Sequence, residues 1–109
     1  EKVKEDTKVG GATLTSMLGT SAWYAPGAAL SSIVHAISCD QKKMFPCSVM
    51  LDGEYGFSDV CIGVPVILGK NGIERIIEID LTEDEKSLLS NSVDSVKKTN
   101  KTLMDLNLF

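Results

Sequence analysis

The sequence predicts an α+β fold: two helices, a mainly antiparallel three-stranded sheet and a long final helix, in that order. Two observations support this prediction. Apolar residues recur at helical spacing near both ends of the chain, whereas residues 44–79 contain runs rich in β-branched residues that are separated by turn sequences. The 109 residues are 43% hydrophobic and 24% charged, which is typical of one folded domain with a modest core.

The first predicted helix covers residues 3–18 and contains a pair of glycines. Gly10 and Gly11 each cost about 1 kcal/mol relative to alanine in a helix interior. A kink or close packing is the favoured explanation of the pair, and the close approach of another backbone or a ligand is the alternative. We therefore expect the helix to be interrupted or packed at this point.

The second predicted helix begins near Pro26, which a first helical turn tolerates. Its apolar side consists of Leu30, Ile33, Val34 and Ile37, and its other side carries mostly small residues, namely Ala28, Ser31, Ser32 and His35. A helix that is apolar or small nearly all round belongs inside a larger domain or a subunit interface. We therefore expect burial on more than one side in the assembled protein.

Three strands are predicted next, at residues 44–51, 60–68 and 73–79. Residues 52–56 are turn material, and the Asn71-Gly72 pair predicts a tight antiparallel hairpin with Ile73, Arg75, Ile77 and Ile79 alternating along its second strand. Pro46 and Pro65 donate no ladder hydrogen bond, so each is expected at an edge, an end or a bulge.

The final helix is predicted to start after Thr82, which forms a capping box with Glu85. Its buried stripe is predicted to be Leu89, Val93, Val96 and Leu103. The acidic residues lie early and the lysines late, as the helix dipole favours.

Composition disfavours several classes of function. The net charge is −4 and the lysines form no basic run, so nucleic-acid binding is not expected. No apolar run approaches the roughly 18 residues that span a bilayer, and the N-terminal residues lack the apolar stretch of a signal peptide. We expect a soluble cytoplasmic protein whose three cysteines are reduced, and no membrane partner.

The residues alone specify no reaction. His35 is the sole histidine, and with Cys39, Cys47 and Cys61 it is a poor zinc set, because closed zinc sites usually have paired ligands at short spacing. Neither a Gly-x-Gly-x-x-Gly nor a Gly-x-x-x-x-Gly-Lys-Ser/Thr sequence occurs. No metal site and no self-contained nucleotide site are expected.

Several collinear segments resemble the lactate dehydrogenase-like malate dehydrogenases of bacteria. They are Gly10-Gly11-Ala12, Leu-Gly-Thr-Ser-Ala-Trp-Tyr-Ala-Pro-Gly-Ala-Ala at 18–29, Pro-Cys-Ser-Val at 46–49, Leu-Asp-Gly-Glu-Tyr-Gly at 51–56, Gly-Val-Pro-Val-Ile-Leu-Gly at 63–69, Asn71-Gly72, and the acidic start of the final helix. The resemblance covers nearly the whole chain. It implies that residues 1–109 form the C-terminal part of the substrate domain of such an enzyme, with the Rossmann domain that binds NAD absent from this chain.

The resemblance also implies the reaction and the nearby residues. The intact enzyme would interconvert malate and oxaloacetate with NAD, using a histidine–aspartate pair and arginines that this chain lacks, so no residue here is assigned a catalytic role. Ser21 and Ala22 would lie near the substrate and Pro26 near the nicotinamide ring. For Trp23 and Tyr24, core packing is the simpler expectation.

Further implications concern assembly and the alternatives. The intact protein is expected to be a homodimer or homotetramer, and the chain, which starts without methionine, is expected to be part of a longer protein and inactive alone. A lactate dehydrogenase of the same superfamily is the alternative within the class. A non-enzymatic interaction domain, with the second helix as its interface, is the alternative outside it.

Overall fold

The computed structural model describes residues 2–106 and has the α+β class that the sequence predicts. Its elements are α1 (Lys2–Leu18), α2 (Tyr24–Ser38), β1 (Lys43–Asp52), a 3-10 turn (Glu54–Gly56), β2 (Ser58–Gly69), β3 (Gly72–Ile76) and α3 (Glu83–Asp105). The sheet is antiparallel with the order β1-β2-β3. The chain divides into two compact units, Glu1–His35 and Ala36–Phe109. Within residues 2–106 no helix is both long and apolar enough to cross a membrane.

In the first unit, α1 runs without interruption through its glycine pair. A Cβ atom added at Gly10 or Gly11 would meet no atom within 4 Å outside the helix itself, and α1 has no buried residue. The expected kink is therefore wrong, and among residues 2–106 nothing packs closely on these glycines. Local helical hydrogen bonding is sufficient to carry the backbone through two glycines despite their entropic cost.

The second unit has its core on one face of the sheet. Alternate residues of β2 are buried because side chains of a strand point to opposite faces in turn: Val60, Ile62, Val64, Val66 and Leu68. Val49 and Leu51 of β1 lie opposite Ile62 and Val60 and share this buried face. Val93 of α3 is 1% exposed, and α3 packs on β2.

The two strand prolines face each other, Pro46 on β1 opposite Pro65 on β2. The expectation for Pro46 is confirmed, because β1 is an edge strand. Pro65 instead lies within the central strand. Its carbonyl accepts the N–H of Ile77 at 2.8 Å, so its nitrogen also faces the β3 side, where β3 has already ended at Ile76. The sheet thus loses little hydrogen bonding at this proline.

The β2–β3 connection is an antiparallel hairpin, as predicted, but its turn differs in detail. Gly69 pairs with Gly72, so Lys70 and Asn71 are the turn residues, and only Gly72 has a positive φ, +92°. The register shifts between Ile67 and Leu68, as in hairpins that combine a turn with a bulge. The predicted alternation along residues 73–79 is therefore wrong: β3 ends at Ile76, and Ile73 and Ile79 are half exposed.

The capping box at the start of α3 is confirmed. The Glu85 N–H donates to the Thr82 hydroxyl oxygen at 3.3 Å, and the Thr82 N–H donates to the Glu85 carboxylate at 2.9 Å. The bond from the Thr82 N–H, and a second bond that the Thr82 hydroxyl donates to the same carboxylate at 2.8 Å, hold the pKa of Glu85 below its ordinary value. The predicted buried stripe is confirmed in part: Val93 is buried, Leu89 and Val96 are half-buried, and Leu103 is 46% exposed.

Candidate functional site

The predicted substrate-proximal residues lie in the connection between α1 and α2. Helix α1 ends at Leu18, and Gly19 then adopts a left-handed conformation with φ +68°. Its N–H donates to the carbonyl of Thr15 at 3.0 Å, which is the single-bond form of a glycine C-cap. Glycine is the residue that adopts this conformation at least cost, so the local sequence fixes where the loop begins.

The loop ends where α2 begins, at Tyr24, two residues earlier than predicted. The first helical hydrogen bond of α2 runs from Gly27 N–H to the carbonyl of Trp23 at 2.8 Å. Pro26 therefore lies in the first turn, where a backbone N–H has no helical acceptor and its absence costs no hydrogen bond. Its fixed φ also favours the helical conformation at this end.

The side chains of the loop are open to solvent in this chain. Ser21 and Pro26 are exposed and Ala22 is half buried. Core packing of Trp23 and Tyr24 is wrong, because their side chains are 67% and 83% exposed. The aromatic composition of this segment predicted burial, but residues 2–106 contain nothing that covers it.

The loop belongs to a long uncharged segment. Residues 9–39 contain no aspartate, glutamate, lysine or arginine. Even so, Ala36 is the one buried residue of α2, and Leu30 and Val34 are 62% and 53% exposed. His35, expected to be packed or interfacial, is exposed in this chain. Contiguous exposed apolar surface of this kind is typical of surface that another domain or subunit covers.

The groups able to transfer protons or hold carboxylates belong to different elements of the chain. His35 lies on α2, and Arg75, the only arginine of the sequence, is exposed on β3. Among residues 2–106, no three His, Cys, Asp or Glu side chains come together as metal ligands would. The pKa of Glu54 is lowered because its carboxylate accepts the Asp52 N–H at 2.7 Å, which is a turn-stabilising role.

A cleft of about 470 Å³ lies beside the start of α3, and no sequence pattern predicted it. The Tyr55 hydroxyl on its wall donates to the carbonyl of Ile77 at 2.8 Å and accepts the Ile79 N–H at 3.1 Å. The Tyr55 N–H donates to the Glu78 carboxylate at 2.6 Å. Tyr55 has a positive φ of 53°, a conformation that tyrosine rarely adopts. Neither hydrophobic spacing nor turn composition therefore predicts its position on the wall of this cleft. These contacts join two loops of the second unit.

Comparison with known proteins gives the family. The family model of the lactate/malate dehydrogenase alpha/beta C-terminal domain matches residues 1–106. The malate dehydrogenase of Bacteroides fragilis is 62% identical over 109 residues, which cover 97% of this chain and 35% of that protein. The malate dehydrogenase of Parabacteroides distasonis is 60% identical over 106 residues, or 97% of this chain and 34% of that protein.

Solved structures agree with the sequence relatives. A malate dehydrogenase from Salinibacter ruber has a TM-score of 0.94 and 45% identity, covering 97% of this chain and 35% of its own. A lactate dehydrogenase from Eimeria maxima, solved with NADH and oxamate, has a TM-score of 0.91 and 38% identity, covering 94% of this chain and 32% of its own.

The chain therefore belongs to the lactate/malate dehydrogenase family, through its alpha/beta C-terminal domain. It spans about a third of the length of the relatives that it matches.

Proposed function

We propose that these residues are the C-terminal part of an NAD-dependent malate dehydrogenase. Such an enzyme oxidises malate to oxaloacetate by hydride transfer, a reaction of the tricarboxylic acid cycle. The observation that carries the proposal is the identity of 60–62% to malate dehydrogenases over nearly the whole chain. Identity at this level, together with the collinear segments from Gly10 to Gly72, supports a shared reaction as well as a shared fold.

In this proposal the α1–α2 loop forms the inner wall of the substrate pocket. Ser21 and Ala22 lie near the substrate, and Pro26 lies near the nicotinamide ring. The proposed role fits Ser21, Ala22 and Pro26 because their side chains are small and uncharged, and Ser21 and Pro26 are exposed in this chain. A dry, uncharged wall strengthens the pairing of the substrate carboxylates with arginines from the remainder of the enzyme.

The chain does not hold NAD by itself. Within residues 2–106 the sheet is wholly antiparallel, so it offers no parallel strand–helix–strand unit with a glycine-rich turn for the pyrophosphate. One contact at Pro26 is worth at most a few kcal/mol, which corresponds to millimolar affinity or weaker. We therefore propose that the 109 residues alone neither turn over malate nor bind NADH tightly.

The assembly and location follow the same reasoning. We propose that the exposed uncharged surface of α2 is covered in a homodimer or homotetramer, because bare apolar surface of this kind is unfavourable in water. The thiols of Cys47 and Cys61 form no disulfide, which suits the reducing conditions of the cytoplasm.

A chimaera tests the function directly. The C-terminal third of the Bacteroides fragilis malate dehydrogenase is replaced by this chain, and oxaloacetate reduction is followed through NADH absorbance at 340 nm. We expect turnover by the chimaera and none by the 109 residues alone. Binding of NADH by the chimaera reports that its remaining domain is folded, so a folded chimaera without turnover would refute the proposal.

A charge substitution in the chimaera tests the loop. Ala22→Asp should lower kcat/KM for oxaloacetate by at least tenfold, because a carboxylate in a desolvated wall repels the dicarboxylate. Ala22→Ser, similar in size and uncharged, is the matched control and should retain most activity. Equal kcat/KM for the two variants would show that Ala22 does not face the substrate.

Lactate dehydrogenase remains the second candidate, because the Eimeria maxima enzyme is 38% identical and has nearly the same fold. The substrate preference of the chimaera does not decide this alone, since its arginines come from the Bacteroides fragilis protein. The full reading frame that encodes this chain decides between the two candidates. We expect the enzyme expressed from it to prefer oxaloacetate to pyruvate.

A further inference from the structure

The end of α2 has an unusual capping residue. After Ser38 the Gln41 N–H donates to the carbonyl of Ala36 at 2.9 Å, and the Asp40 N–H donates to that of Ile37 at 3.2 Å. This pair of bonds is the Schellman motif, whose left-handed residue is usually glycine. Here it is Asp40, with φ +48°. A residue with a side chain thus occupies a conformation that glycine would adopt with less strain.

The side chain of Asp40 has a contact that glycine would not provide. Its Oδ1 atom accepts the backbone N–H of Lys70 at 2.9 Å, across 30 residues of sequence. Lys70 belongs to the β2–β3 turn, so the bond joins the last turn of α2 to the sheet within the second unit. A hydrogen bond to a charged acceptor is stronger than one between neutral groups.

The sheet leaves room for this contact at Gly69. A Cβ atom added at Gly69 would lie 2.9 Å from Asp40 Oδ1 and would also overlap the Glu74 side chain. Gly69 is buried although its neighbour Lys70 is exposed. A glycine and a left-handed aspartate from separate elements are therefore matched to each other, which local turn formation alone does not require.

We propose that Asp40 is a positioning residue for the dehydrogenase reaction. Helix α2 is continuous from Tyr24 to Ser38, so a restraint on its last turn also restrains the helix whose first turn contains Pro26. Asp40 restrains that last turn and thereby limits the motion of the loop that meets substrate and nicotinamide. This inference rests on the proposed function, since it concerns the pocket wall of that enzyme.

Two substitutions separate the tether from the helix cap. Asp40→Gly keeps the left-handed cap and removes the acceptor for Lys70. Asp40→Asn keeps both, because asparagine tolerates the left-handed conformation and its Oδ1 is also an acceptor. Both variants are made in the chimaera, with kcat and KM for oxaloacetate and amide hydrogen exchange along α2 and β2 as the measurements.

We expect Asp40→Gly to raise KM for oxaloacetate and lower kcat/KM by up to about tenfold, the equivalent of about 1.4 kcal/mol. Amides of α2 should exchange faster while those of β2 are unchanged, and Asp40→Asn should restore both properties. A purely structural role would lower the active fraction, and hence the apparent kcat, with KM unchanged. That result overturns the proposal.

Other outcomes also decide. Wild-type kinetics and exchange in Asp40→Gly overturn the proposal, and so does an Asp40→Asn variant as impaired as Asp40→Gly. If the unsubstituted chimaera has no activity, the proposed function is wrong, and so is the proposal that Asp40 acts in the dehydrogenase reaction. Hydrogen exchange in Asp40→Gly still shows in that case whether the tether exists.

Discussion

Replacing Tyr55 with phenylalanine removes one hydroxyl and two hydrogen bonds that join residues more than 20 apart in sequence. The bond to the Ile77 carbonyl is partly buried, whereas the Ile79 N–H is exposed and regains water. We therefore expect the substitution to cost about 1 to 2 kcal/mol of the free energy of unfolding. For a chain of this size, with a urea dependence of roughly 1 kcal/mol per molar, the midpoint falls by about 1 to 2 M.

The assay is urea unfolding of the 109-residue chain, followed by circular dichroism. Tyr24→Phe is the matched control, because Tyr24 is 83% exposed and the same atom is removed. We expect its midpoint to stay within error of the unsubstituted chain. A wild-type midpoint for Tyr55→Phe, or an equal loss in both variants, would show that the Tyr55 hydroxyl does not stabilise the second unit.

Four further predictions use the same measurement. Thr82→Ala should cost about 1 kcal/mol, because the helix start loses its cap. In the folded chain the pKa of Glu85 lies below its ordinary value of 4.5. The Glu85 carboxylate therefore stabilises the fold above pH 4.5, and this stabilisation is lost as the pH falls through the lowered pKa. The dependence of the urea midpoint on pH should be smaller in Glu85→Gln. Gly69→Ala should cost about 1 kcal/mol, because the added Cβ displaces the Asp40 carboxylate that accepts the Lys70 N–H, whereas the exposed Glu74 side chain can move aside. Gly63→Ala, with nothing within 4 Å of the added Cβ, should be nearly neutral. Val93→Ala should cost about 2 kcal/mol because Val93 is 1% exposed, and a loss below about 0.5 kcal/mol would place it outside the core.

Local signals predicted the elements whose causes are local. The capping box at Thr82, the antiparallel hairpin and the helical spacing near both chain ends were all confirmed. Each depends on neighbours within a few residues, so the sequence alone carries the information. The expected helix interruption at Gly10 and Gly11 failed for the opposite reason: glycine weakens a helix without setting where it ends.

Long-range contacts were outside the reach of such signals. The pairing ends early because Pro65 has no N–H to donate back to Ile77, whose carbonyl accepts the Tyr55 hydroxyl instead. The left-handed cap at Asp40 was not predicted because the residue is not glycine. The Asp40 side chain accepts the N–H of Lys70, which lies 30 residues away in sequence. No pattern of spacing or propensity encodes these pairings.

For the candidate site, the sequence by itself determined that the segment with Ser21, Ala22 and Pro26 is uncharged, and the resemblance of its motifs is the basis for proposing these three residues. Its limits, a glycine cap at Gly19 and a helix start at Tyr24, were decided by backbone hydrogen bonds of the folded chain. The folded chain also decided burial, because valine and leucine are buried on β2 but exposed on α2. The physical reason is that an apolar side chain favours burial but is buried only where another surface packs against it. Within this chain α3 packs against β2 and provides that surface.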